Sequence, residues 1–108
     1  DAMKLLGQRI RLCRKLLGMT QAELAGDDFT KSFISQIECG HAVPSIRALL
    51  ILAERLGQKP GYFLDPKPSS VDLDGITEKV MKQSEAVIER IVEEYLAEGY
   101  EVQVKISR

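Results

Sequence analysis

The chain has 108 residues, 44% hydrophobic and 29% charged, with 15 Lys and Arg against 16 Asp and Glu and a net charge of -1. Two cysteines and one histidine cannot supply the tetrahedral ligand set of a structural zinc site and give no disulfide framework, and no apolar run approaches the ~20 residues of a membrane helix. A small globular protein without metal or cofactor is expected, with the cytoplasm as its compartment and Met3, after Asp1 and Ala2, as the natural start of the chain.

Leu5, Ile10, Leu12, Leu16 and Leu17, bounded by Gly7 and Gly18, predict an amphipathic first helix with Cys13 on its inner face. Arg9, Arg11, Arg14 and Lys15 fill its polar side. At Thr20 a second helix begins: the hydroxyl caps it, and Glu23 three residues later completes a capping box. It spans Gln21 to Ala25 or Gly26, where Gly26, Asp27 and Asp28 break the pattern because these residues favour turns.

Thr30 offers another N-cap. After it Phe33, Ile34 and Ile37 recur at helical spacing, leaving Lys31, Ser32, Ser35 and Gln36 on the opposite side. That polar face has no general base, nucleophile partner or metal ligand. It does suit a DNA groove, since Gln bonds adenine edges bidentately, Lys reaches guanine or phosphate, and Ser bonds either.

Pro44 and Ser45 open a fourth helix with Ile46, Leu49, Leu50, Leu52, Ala53 and Leu56 apolar, ended by Gly57. Pro60 to Leu64 adds a turn whose Tyr62, Phe63 and Leu64 act as a lid. Five short helices in residues 3–64 can share one core, and a mainly α fold is expected.

Residues 65–75 contain Pro66, Pro68, Ser69, Ser70 and three aspartates and are expected to be a linker. A long helix follows over 76–98, roughly 34 Å at 1.5 Å per residue, stopped by Gly99. Ile76, Val80, Val87, Ile91 and Tyr95 form its apolar stripe, widened by Met81, Ile88, Val92 and Leu96. Tyr100, Val102, Val104 and Ile106 then alternate with polar residues, the period of a half-buried strand. No other stretch has a strand pattern, and a lone strand leaves its backbone unpaired. A two-fold homodimer with the two strands antiparallel and the helices packed over one face is therefore expected, using Val87, Ile91, Tyr95, Tyr100, Val102, Val104 and Ile106 within a dimerisation segment at 76–108.

Residues 1–64 carry nine Lys and Arg against six Asp and Glu, whereas 65–108 carry six against ten. The basic half is the half with the polar-faced helix, and the acidic half is expected to point away from DNA.

From Leu6 to Leu64 the chain resembles the lambda-repressor and Cro-like helix-turn-helix family, of the xenobiotic-response-element type. The resemblance rests on LGQRIRLCRKLLGMTQAELA, KSFISQIE, Gly40, Pro44 and AERLG in that order and spacing. There are two departures: the segment between Ala25 and Thr30 is about a residue shorter than the family's turn, and Cys39 stands where Arg or another polar residue is common. The resemblance implies that Gln21 bonds phosphate and braces the recognition helix, that Lys31, Ser32 and Ser35 face the major groove with Gln36 further along, and that Thr30 sits near a phosphate. Arg9, Arg11, Arg14, Lys15 and His41 are candidate backbone contacts. Glu38 is expected to be structural, pairing with Arg9 or Arg14.

A sequence-specific regulator, most simply a repressor binding an inverted-repeat operator in double-stranded DNA as a homodimer, is the leading expectation. The alternatives are a DNA-binding antitoxin and a protein-interaction adaptor, each using the C-terminal segment on a protein partner. An enzyme is not expected, since no carboxylate pair, Ser-His-Asp set or phosphate-cradling glycine loop occurs in its structural context.

Overall fold

The computed structural model describes residues 2–65, 70–72, 85–97 and 103–105. Five helices come first: α1 (Ala2–Leu16), α2 (Gln21–Ala25), α3 (Lys31–Glu38), α4 (Ile46–Arg55) and α5 (Pro60–Leu64). β1 (Ser70–Asp72), α6 (Glu85–Ala97) and β2 (Gln103–Lys105) follow.

Local chemistry sets the helix starts. The hydroxyl of Thr20 accepts the Glu23 amide at 3.0 Å while the Thr20 amide donates to Glu23 Oε1, also at 3.0 Å, a complete capping box. The hydroxyls of Thr30 and Ser45 accept from the amides of Phe33 and Ala48 in the same way. Each cap satisfies an otherwise orphaned donor and is worth about 1 kcal/mol.

The apolar faces meet in one core. Ile10, Leu12, Leu16, Leu24, Ile34, Ile37, Leu52 and Leu56 are fully buried and join Cys13, Leu49 and Phe63 in a cluster drawn from α1 through α5. Each large aliphatic side chain buried this way contributes roughly 1.5–3 kcal/mol. Not every apolar residue goes inward: Ile46 is 78% and Leu50 51% exposed, because α4 buries only the side that carries Ala48, Leu49, Leu52 and Ala53.

Gly7 is not the bound of the first helix. It lies inside α1 and is buried, because the end of α3 crosses there at backbone distance. A Cβ on Gly7 would overlap the Ile37 carbonyl oxygen and stand 3.0 Å from that of Glu38. The glycine is thus a crossing point.

One further expectation needs correction. β2 does not await a second chain for its backbone pairing: it pairs in parallel with β1 of the same chain, Ser70 opposite Gln103, Val71 opposite Val104 and Asp72 opposite Lys105. Residues 70–72 lie in the stretch expected to be a linker. Three residues are too few to show alternation, and a parallel partner can lie far away in sequence because a crossover, here containing α6, separates such strands. Ile91, expected at a dimer contact, is half-buried and packs with Val92 against the helical core, and α6 lies along α1. Val87 is also half-buried. The side chain of Tyr95, residues 76–84, Tyr100, Val102 and Ile106 lie outside the described residues.

Substituting Gly7→Ala should force α1 and α3 apart. A loss of about 1–3 kcal/mol, the usual range for overpacking, is expected in urea denaturation. An unchanged midpoint would mean that the crossing is looser than described.

Candidate nucleic-acid interface

α3 presents two different sides. Ile34 and Ile37 are fully buried, while Thr30, Lys31, Ser32 and Gln36 are exposed and Ser35 is half-buried. The residues expected to read a groove are thereby brought onto one exposed surface by the same periodicity that buries the isoleucines. Thr30 stands at its N-terminus in extended conformation (φ -103°, ψ 154°) with its hydroxyl used as the cap.

Three helices meet at the other end of α3. Glu38 is buried, and Arg14 of α1 grips its carboxylate in a fork, Nε to Oε2 at 2.7 Å and Nη2 to Oε1 at 2.9 Å. Arg14 also donates through Nη1 to the Met19 carbonyl at 2.8 Å, in the turn before α2. Gln21, the first residue of α2, donates from Nε2 to Glu38 Oε1 at 3.3 Å. Gln21 thus links the start of α2 to the end of α3, and Arg14, with its side chain 12% exposed, is the arginine that Glu38 takes.

That geometry corrects the list of backbone-contact candidates. Arg14 is committed to Glu38. Arg9 is buried, donating from Nη1 to the carbonyls of Tyr62 at 2.7 Å and Asp65 at 2.6 Å, and its guanidinium lies 5.2 Å from the centre of the Tyr62 ring. It caps the end of α5, where a cation meets carbonyls left over by the helix. A helical pattern cannot reveal this, since Arg9 shares the polar stripe with Arg11 and Lys15, which remain half-buried. His41 is exposed just beyond α3. Arg47, an exposed cation in the first turn of α4, was not singled out from the sequence although it stands beside the Ser45 cap.

Cys39 is exposed at the C-cap of α3, whereas Cys13 is fully buried. Burial pushes the Cys13 thiol up to about 12, against the smaller opposing effects of a hydrogen bond with Tyr62 and the charge of Arg9. Burial also raises Tyr62, and the neighbouring Cys13 raises it further. Among the described residues no group of three or more His, Cys, Asp or Glu is placed to hold a metal ion, and no helix is long and apolar enough to cross a membrane.

A family model described as a helix-turn-helix domain matches residues 7–67, more than half of the chain. Neither the curated proteins nor the solved structures compared with the chain give a match.

Replacing Glu38 by Ala should leave the Arg14 guanidinium without its anion, at a cost of about 3 kcal/mol, the low end for breaking a buried pair because Arg14 keeps some exposure. Urea denaturation measures this, and a cost below about 1 kcal/mol would place the pair among surface ion pairs. Thiol labelling at pH 8 should modify Cys39 in the folded protein and Cys13 only on unfolding. The raised Cys13 value also sets a sign: its contribution to stability is intact below the ordinary thiol value of 9.0 and is lost as pH rises from there towards 12, because only the unfolded state ionises in that window. A Cys13→Ala variant should lack that part of the alkaline decline.

Proposed function

The chain belongs to the helix-turn-helix domain family, and from that premise we propose that it is a sequence-specific transcriptional regulator, a repressor that occupies an inverted-repeat operator as a homodimer. The observation that carries this reading is the exposed surface of Thr30, Lys31, Ser32 and Gln36, with half-buried Ser35 among them, on a helix whose other side is locked to α1 and α2. A groove reader needs both properties: polar side chains free to meet base edges, and a rigid scaffold behind them.

Lys31, Ser32 and Ser35 read bases, Gln36 extends the reach, and Thr30 with the amides at the start of α3 meets a phosphate. Gln21 reaches a phosphate with the carboxamide that Glu38 orients. His41, Arg11 and Lys15 add backbone contacts, and the positive balance of residues 1–64 supplies the long-range attraction. One α3 covers few base pairs. Two of them, about 34 Å apart across a two-fold axis, read half-sites in successive major grooves. Residues 76–108 hold the two copies together, using surfaces other than the β1–β2 pairing and the buried side of α6.

Selection of bound sequences from a random duplex library should enrich an inverted repeat, with light scattering of the same sample giving a dimer. On the enriched duplex, Lys31→Ala or Ser32→Ala should relax preference at one base position by up to about 1–3 kcal/mol. A uniform weakening across sequences, with a shallower salt dependence, would make the residue a phosphate contact instead. No enrichment by the folded protein would overturn the reading.

A further inference from the structure

The connection between α2 and α3 is held by the last residue of α4. α2 has only five residues and stops at Gly26, whose φ of 54° turns the chain out of the helix. The Ala25 carbonyl takes the Phe29 amide at 3.1 Å, but the Leu24 carbonyl has no further turn of helix to satisfy it. Arg55, the last residue of α4, fills that gap: Nη1 donates to the carbonyls of Leu24 at 2.9 Å and Ala25 at 2.8 Å, and Nη2 meets the Asp28 carboxylate. The same guanidinium lies 5.8 Å from the centre of the Phe29 ring. Phe29 in turn packs on Phe33 of α3, ring centres 5.5 Å apart. Gly26 lets the guanidinium close in, since a Cβ there would stand 3.1 Å from Arg55 Nη1.

We propose that Arg55 is a positioning residue for DNA recognition, a latch on α4 that fixes the α2–α3 turn and thereby the direction in which α3 presents Lys31, Ser32 and Ser35. This inference rests on the DNA-binding reading above. The ion pair is the lesser part of the latch, because Asp28 is half exposed and water screens it. The two carbonyl bonds and the ring contact are the greater part. They sit at a helix C-terminus, where a cation also meets the negative end of the dipole. Only arginine combines a forked donor set with a flat face for Phe29; lysine offers a point charge on a flexible stem. A groove reader tolerates only roughly 10–20° of misorientation, so a turn held at both its start and its end is a condition for base discrimination.

The test uses the full chain and three variants. Arg55→Met removes the latch, Arg55→Lys keeps the charge but not the fork, and Asp28→Asn removes only the ion pair. Two readouts are taken on each: the orientation of α3 relative to α1 from residual dipolar couplings without DNA, and the ratio of affinities for the selected and a scrambled duplex. Arg55→Met should remain helical, with α3 reoriented and the ratio reduced about tenfold, equivalent to ~1.4 kcal/mol, while affinity for the scrambled duplex changes less than about twofold. Asp28→Asn should match the unmodified protein, and Arg55→Lys should fall between. If Arg55→Met does not fold, Arg55→Lys alone decides, and a native α3 orientation and ratio in that variant overturn the proposal. The same holds for Arg55→Met if it folds with both readouts unchanged. If the unmodified protein does not discriminate between duplexes, the DNA reading fails, and the latch then stands or falls on the α3 orientation alone.

Discussion

The carboxylate of Glu38 fixes where α3 can lie. It closes the inner end of that helix against Arg14 of α1 and Gln21 of α2, and a charge taken this far from water is tolerable only while its partners stay in hydrogen-bonding geometry. Rotation of α3 about its axis would break the Arg14 fork before it disturbed much apolar area. The hydrophobic core supplies most of the stability but little direction, since Ile34 and Ile37 could be accommodated at neighbouring angles. The buried polar cluster selects one of those angles. Gly7 makes the arrangement possible by letting the α1 backbone approach the last carbonyls of α3.

The outer face of α3 follows from this constraint. Because Ile34, Ile37 and Glu38 are used inward, Lys31, Ser32 and Gln36 have nowhere to go but outward. Arg9 and Arg14 are consumed in building the scaffold, so less of the positive charge of α1 faces solvent than the bare count implies. The C-terminal part contributes to the same body: Ile91 and Val92 of α6 cover the helical core, and β2 finds its partner in β1.

What the sequence revealed and what it concealed divide along the range of the interactions. The capping box at Thr20 and Glu23, the Thr30 and Ser45 caps, and the polar face of α3 depend on residues within four positions of one another, and local spacing is enough to find them. The partnership of Glu38 with an arginine of the first helix was legible only through the family resemblance. The choice of Arg14 over Arg9 was not, because both share one polar stripe and only the fold shows that Arg9 reaches the end of α5. Gly7 looked like a helix boundary because a close crossing of two backbones leaves the same mark in a sequence as a helix end. Arg55 gave no signal at all, being one more basic residue at the end of a helix, where cations are ordinary. β1 was hidden by its length, and its partner lies some thirty residues away on the far side of a crossover.

On the proposed reading, the outer face of α3, held by Glu38, is the surface that meets DNA. Amide chemical shifts recorded while a duplex enriched by selection is titrated into the full chain test it most directly. The largest shifts should fall on Thr30 to Gln36 and on Gln21, with the exposed residues of α6 little affected. Shifts confined to α6 and the β1–β2 pair, with α3 unmoved, would contradict that reading.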